Sequence, residues 1–410
     1  MTSIANNLDH RKQDYAFKFV DKNGNPVAGK KVNAKLSNHE FLFGCGAFPA
    51  KTLMKMDDPQ AAEFGKTRFE LMKKIFNYAT VHMYWGNFER EEGKPATAFI
   101  RENAEFFKEN GFKLKGHPLC WHTVCADWLL KYDDETILRK QLERIKRDVT
   151  EFKGTIDMWD VINEVVIMPV FDKYDNAVTR ICNMKGRLAL VQDVFGEARK
   201  ANPNATLLLN DFNMTVSYEE LIAECLEAGV PIDVIGLQSH QHQGYWGAEK
   251  TVDVIERFSK FGLPLHFTEN TILSGTLVPP EIEDLNDHQV TEWPSTPELE
   301  ELQSKQLEEM MRIIFSAPTV QGMTYWDFGD GAWLNAPSGL VRKDNSVKPV
   351  YNMYDNLVNN EWSTNVDLVT DENGIVKFNG FKGDYIFDVE GKKATSVKTD
   401  GSNVATIVIE

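Results

Sequence analysis

Two glutamates stand where a carboxyl group can do chemistry. Glu164 follows Asn163 in the string WDVINEV, and Glu269 lies in LHFTEN, each closing a short apolar run. A polar group set at the end of a buried apolar run costs desolvation, so the chain must gain something by it. Glycosidic cleavage needs such a pair: one carboxyl protonates the leaving oxygen, and the other attacks the anomeric carbon or activates water. Similar runs end in His117, Trp121 and His122; in Asn210 and Asp211; in Gln238, His240 and His242; and in Trp326, Asp330 and Trp333. Asn210 and Asp211 read as loop-fixing residues, and the role of His242 stays open. Two carboxyls supply both chemical roles, so no metal and no cofactor is expected. A His117, His122 and His240 metal set is the competing arrangement.

These residues need elements to bring them together. Eight apolar or β-branched runs recur, at 42–48, 78–85, 113–121, 158–166, 206–212, 234–240, 265–270 and 322–328. Most are continuously apolar, as in parallel strands buried on both faces. Helical periodicity lies between them, at 136–152, 187–201, 218–228, 252–261 and 297–315. Strands alternating with helices form βα units with right-handed crossovers. Eight units make an α/β fold of the closed (β/α)8 (TIM) barrel type. The strand ends of such a barrel converge on one mouth. The stretch 271–296, rich in Pro and acidic residues, reads as a loop over that mouth. A loop of that length is uncommon unless functional.

Both chain ends break this pattern. Residues 15–36 hold two β-like runs around the turn-rich NGNP, and Tyr385, Phe387 and Val389 alternate near the other end. Alternation marks a half-buried antiparallel sheet, and each piece is too short to bury a core alone. The two ends are expected to pair into one small β-sandwich, immunoglobulin- or transthyretin-like. The expected division is 15–40 for its N-terminal part, 41–360 for the catalytic barrel and 363–410 for its C-terminal part.

Charge and composition exclude some partners. A formal net charge of −16 disfavours nucleic acid and anionic membranes. No apolar run approaches the ~18 residues of a spanning helix. The first residues lack the apolar core of a signal peptide. Five cysteines, with no CxxC pair, read as free buried thiols. A Cys120–Cys125 disulfide is the alternative and needs an oxidising compartment. A monomer acting on a polysaccharide or oligosaccharide is expected. Polymers do not enter cells, so a secreted or periplasmic location is expected although no signal is visible.

In chain order, GHPLCWH (116–122), WDVINEV (159–165), LLLNDFN (207–213), VIGLQSH (234–240), LHFTEN (265–270) and MTYWDFGDGAW (323–333) resemble glycoside hydrolase family 10. Its best-known members are endo-β-1,4-xylanases. The resemblance implies a retaining mechanism with Glu164 as acid/base and Glu269 as nucleophile. It implies that His240 holds Glu269 and that Asn163 bonds the sugar 2-OH. His117, Trp121 and Gln238 then wall the central sugar subsite, and Trp326 and Trp333 stack on sugar rings. A different β-glycan or glycoside, or a non-catalytic carbohydrate-binding role on the same fold, are the other readings.

One segment departs from the family. Similar xylanases carry a string like TPENEMKW after the second strand, whose Glu, Asn and Lys bind sugar. This chain reads TVHMYW (80–85), two residues shorter. Tyr84 falls where the Lys stands, and His82 or Val81 where the carboxylate and amide stand. The seventh strand likewise ends in TEN where TELD is usual. A site that hydrogen-bonds given hydroxyls rejects analogues lacking them, so changed partners imply a changed sugar. His82 and Tyr84 are therefore expected to read a different or decorated sugar.

Overall fold

The computed structural model describes residues 7–395 and 404–409. In chain order the strands are β1 (Lys12–Val20), β2 (Lys31–His39), β3 (Leu42–Gly46), β4 (Tyr78–His82), β5 (Lys113–His117), β6 (Met158–Asn163), β7 (Thr206–Asp211), β8 (Val234–Leu237), β9 (His240–Gln241), β10 (Leu265–Ile272), β11 (Val320–Tyr325), β12 (Asn365–Val369), β13 (Ile375–Phe381), β14 (Gly383–Val389), β15 (Lys392–Thr395) and β16 (Ala405–Val408). Eight of them, β3 to β8 with β10 and β11, pair side by side in parallel, and β11 returns to β3. The sheet is therefore a closed (β/α)8 barrel, as the eight apolar runs imply.

The strands are apolar because both faces are covered. All four residues of β8 and all eight of β10 are buried. Helices around them bury a stripe and cap their first turns. Asp133 accepts from the Thr136 amide at the start of Asp134–Glu151, and Thr296 caps Pro297–Ser316, which has Pro in its first turn. Several elements start earlier than periodicity suggests. Asp134–Glu151, Val216–Glu227 and Gly247–Ser259 each begin two or more residues before the expected point. Polar first-turn residues belong to the helix but carry no apolar period. The strands also stop sooner, β3 at Gly46 and β5 at His117. The residues beyond are irregular segments that carry site groups.

The chain ends make two further sheets. One has the order β13-β1-β16 and the other β12-β2-β14-β15. Each mixes strands from both ends: Phe17 pairs with Val376, Phe19 with Ile407, and Ala34 with Phe387. Tyr15, Phe17, Phe19, Val32, Ala34, Leu36, Tyr385, Phe387 and Val389 are buried between the sheets. Ring centroids of Phe17 and Phe387 lie 4.8 Å apart, and those of Tyr15 and Tyr385 4.9 Å. Residues 396–403, inside the alternating C-terminal stretch, lie outside the described residues.

This module meets the barrel at the N-terminal ends of its strands, away from the mouth. His39, Phe41, Phe43, Phe315, Trp362 and Phe381 form the joint, with Phe315 stacked on Trp362 at 4.2 Å. Arg11 pins it. Its guanidinium donates to the carbonyls of Phe315 (2.9 Å), Ala317 (2.8 Å) and Val320 (2.7 Å) and lies over the Phe41 ring. These carbonyls lead into β11. Arg11→Ala strands them, and Arg11→Lys cannot reproduce the fork. Chemical denaturation should show Arg11→Ala less stable by about 2–4 kcal/mol, with Arg11→Lys recovering little.

Candidate active site

The two carboxyls reach the mouth by different backbone devices. Glu164 stands just past β6 with φ at +57°, a left-handed conformation that a bulky residue enters only under constraint. Its amide donates to the Asn210 carbonyl at 2.9 Å, which fixes the turn. Glu269 lies within β10, whose pairing with β11 slips between Phe267 and Asn270. Such slips re-aim side chains. Strict alternation would send Thr268 and Glu269 to opposite faces, yet both bond Asn210 here: Thr268 Oγ1 donates to Asn210 Oδ1 at 2.6 Å, and Asn210 Nδ2 donates to Glu269 Oε1 at 2.8 Å.

A chain of amides joins the carboxyls. Asn210 Nδ2 also donates to Asn163 Oδ1 at 2.7 Å. Gln238 Nε2 lies 3.1 Å from that same oxygen and 3.1 Å from Glu164 Oε1. Trp121 Nε1 donates to Glu164 Oε2 at 2.8 Å. Asn163 Nδ2 has no partner among the described residues, which leaves a donor for a ligand hydroxyl. The position of Asn210 depends on Gly236 of the neighbouring β8, where an added Cβ would lie 2.4 Å from Asn210 Oδ1.

The surroundings drive the carboxyls apart in acidity. Burial, then the charge of Glu269, pushes Glu164 up to about 8. Its hydrogen-bond donors are neutral and do not offset this. Burial also pushes Glu269 upward. The charge of His117, the hydrogen bond and charge of His240, and the charge of Lys115 outweigh it, and the group sits at about 2. His240 Nε2 lies 3.1 Å from Glu269 Oε2, and His117 Nε2 lies 3.9 Å from Oε1. His117 in turn holds Asp160 Oδ2 at 2.7 Å through Nδ1, and the buried Lys115 ammonium reaches that same oxygen at 2.6 Å. One group is thus protonated and the other ionised over a wide pH range.

Aromatic rings wall this centre. His82 stacks on Tyr84 at 5.5 Å and meets Trp326 edge-on at 5.0 Å. Tyr84 lies 5.4 Å from Trp121 and 5.7 Å from His117, and Trp333 lies 4.6 Å from His240. All eleven residues singled out from sequence thus gather at one mouth. Burial and the charge of His117 hold the His82 imidazole down at about 4. Burial, then Glu269 and Glu164, push the Tyr84 phenol up.

Two expectations need correction, for Asn210 and for Asp330. Asn210 was expected to fix a loop, but it binds both Asn163 and Glu269. Asp211 does fix one, accepting from the Val166 and Asn213 amides. Asp330 turns away to Lys348 and the Gly339 amide. The cysteines are free thiols, as expected, Cys120 and Cys125 included. A cavity of about 410 Å³ lies apart from the carboxyls, lined by Trp293, Asp330, Arg342 and Lys343 among others. Its cations have partners of their own: Arg342 pairs with Glu300, and Lys343 donates to the Asn335 amide oxygen.

Sequence reasoning missed a relay behind His240. Thr271 Oγ1 lies 3.2 Å from His240 Nδ1 and 3.2 Å from the buried His242 Nδ1. A hydroxyl donates one proton and can accept another. With a charged His240 donating Nε2–H to Glu269 and Nδ1–H to the Thr271 oxygen, the Thr271 hydroxyl donates in turn to Nδ1 of His242, whose imidazole burial keeps neutral. Thr271→Val should lower kcat about tenfold with little change in KM, the worth of one such hydrogen bond; Thr271→Ser should restore it.

The pH profile checks the carboxyl pair. Activity should fall above about pH 8 as Glu164 ionises, and on the acid side only as Glu269 protonates near about pH 2. Stability carries opposite signs. Glu164 is raised from its ordinary 4.5, so its contribution is present below that value and lost as pH rises through about 8. Glu269 is depressed, so its contribution is present above 4.5 and lost as pH falls through about 2. Glu164→Gln should abolish the alkaline limb with an activated substrate.

The Glycosyl hydrolase family 10 model matches residues 46–357. An endo-1,4-beta-xylanase/feruloyl esterase of Xylanibacter ruminicola is 26% identical over 309 residues, covering 68% of this chain and 41% of that protein. The anti-sigma-I factor RsgI6 of Acetivibrio thermocellus is 25% identical over 394 residues, covering 92% and 44%. The chain therefore spans under half the length of these two relatives. Xylanase 10B of Thermotoga maritima superposes with a TM-score of 0.62 at 22% identity, covering 78% of this chain and 96% of that one; a likeness at that identity speaks for the fold. Because the family match takes in both carboxyl-bearing strands and all that lies between them, the chain belongs to glycosyl hydrolase family 10.

Proposed function

We propose that this chain is a retaining glycoside hydrolase that cleaves β-1,4-linked, xylan-type glycan by double displacement. One observation carries the reading: two carboxyls joined by a chain of amides, one pushed up to about 8 and the other held at about 2. Glu269 is the nucleophile and Glu164 the acid/base. Names of relatives such as the beta-1,4-xylanase of Dictyoglomus thermophilum, 28% identical over 278 residues, support the glycan class.

The first step needs a proton on Glu164 and a charge on Glu269, which is the resting state at neutral pH. Glu164 gives its proton to the leaving oxygen while Glu269 attacks the anomeric carbon and forms a glycosyl ester. The ester carries no charge, so the repulsion that helped to raise Glu164 disappears. Its acidity then rises as it must become a base. Glu164 takes a proton from water, the water attacks the anomeric carbon, and Glu269 leaves as carboxylate. Two inversions give retention. The free Asn163 Nδ2 suits the sugar 2-OH, a bond that strengthens as charge develops.

Two further readings each have a specific support. The His82–Tyr84 stack stands where similar xylanases place charged and amide groups, which favours a different or decorated β-glycan. The similarity to an anti-sigma factor favours a binding role on the same fold, while both carboxyls with opposed acidity favour catalysis. An aryl β-xylobioside separates them. Glu164→Ala and Glu269→Ala should each lose at least ~10³-fold in kcat on substrates needing a proton. Azide should rescue Glu269→Ala to an α-glycosyl azide and Glu164→Ala to a β-glycosyl azide. An inverted wild-type product would overturn the assignment.

A further inference from the structure

The loop that follows β10, residues 273–296, is built as a strap. Its base has a small core of its own, Leu273, Val278, Trp293 and Ala336, with Ile282, Leu285, Val290 and Leu334 packed against it. Backbone groups tie it to the loop after β9: Val278 N donates to His242 O at 2.8 Å, and Gln243 Nε2 donates to Ile282 O at 2.7 Å and Pro279 O at 3.1 Å. The tip is a 3-10 turn, Leu285–Asp287, capped by Asp284. Both acids of that tip hold one lysine. Lys173 Nζ lies 2.6 Å from Asp284 Oδ2 and 2.5 Å from Asp287 Oδ1.

Lys173 belongs to the loop after β6, nine residues past Glu164. The strap thus joins the loops of the strands that bear Glu164 and Glu269. Around the barrel these strands are separated by β7 and β8. Between them Phe212 and Val216, just past β7, stay 44% and 61% exposed. The strap thus leaves that short loop uncovered while its tip reaches the loop after β6. We propose that it crosses the mouth, and that this crossing makes the site one for chain ends and short oligosaccharides and excludes the interior of a polymer. The inference rests on the glycosidase reading above. A long chain can be laid sideways into an open groove, but under a strap it must be threaded by an end.

The two ends of the strap differ in strength. The base is held by apolar packing and backbone bonds, and the tip rests on it through Leu285 and through His288 against Trp293 at 4.8 Å; the tie to the loop after β6 is one cation shared between two partly exposed acids. Such surface pairs are weak and screened by salt. The tie to Lys173 is then the link that ionic strength loosens.

Zero-length carbodiimide coupling tests the placement in the wild-type protein. Mass spectrometry should find an amide between Lys173 and Asp284 or Asp287; its absence would overturn the strap whatever the enzyme does. Activity tests the consequence. On soluble xylan at low salt, reducing ends should appear well ahead of any fall in viscosity, with one short product length. Lys173→Ala, or high salt, should raise kcat/KM on polymer relative to xylotriose by up to about fivefold, the worth of the two surface pairs, and Lys173→Arg should restore the wild-type ratio. An early viscosity drop with mixed products, unchanged in Lys173→Ala, would refute chain-end action. Hydrolysis of neither polymer, xylotriose nor aryl glycoside would refute the glycosidase reading, and with it chain-end action, while leaving the crosslink result to stand for the strap.

Discussion

The mouth of this barrel is organised around one costly requirement: a carboxylate must stay ionised where little water reaches it. Burial alone would protonate Glu269, as it protonates Glu164 a short distance away. The protein meets the cost with groups placed on separate strands. Asn210 comes from β7, His240 from β9, and His117 with Lys115 from β5. Asp160 balances the positive charge beneath them. No single strand could supply this set. Closing the sheet into a barrel brings three strands' groups around one oxygen pair. The difference between the two carboxyls is then a difference in neighbours: neutral donors around Glu164, imidazoles and an ammonium around Glu269.

That division also explains where the rest of the molecule lies. The terminal sandwich packs on the barrel's other end, so it braces strand starts without crowding the mouth. At the mouth, irregular backbone is kept for positions that must aim a group: the left-handed Glu164, the slipped register of β10, and the loops past β5 that carry Trp121. Regular strand below and irregular backbone above is the physical form of a rigid scaffold with an adaptable site.

Much of this was legible in the sequence, for identifiable reasons. A parallel strand covered on both faces writes itself as an apolar run, so the eight strands could be counted. A polar group after such a run stands out, so Glu164, Glu269, His117, Gln238 and His240 could be named. Asn210 was visible as a residue but not as a partner of Glu269. Its reach from β7 to β10 passes Gly236 on the strand between, and a missing side chain on a third strand leaves no local pattern. Thr271 was hidden for a similar reason, because a hydroxyl in a buried strand looks like ordinary β-propensity until His240 and His242 are seen on either side. The loop 271–296 was flagged by its length alone; only the Lys173 pairs reveal that it is tied to the loop after β6.

The sandwich has a consequence for how the chain is made. Phe17 finds its strand partner at Val376, and Ala34 finds its partner at Phe387. At ordinary ribosomal speed, about 5–20 residues per second, that partner emerges roughly 20–70 s after the first strand. Throughout the wait, β1 offers Tyr15, Phe17 and Phe19 on an unpaired edge. No barrel strand pairs with β1, so the barrel sheet can close meanwhile. Newborn chains thus pass through a stage in which the barrel mouth can form while the apolar face of β1 still lacks its partners.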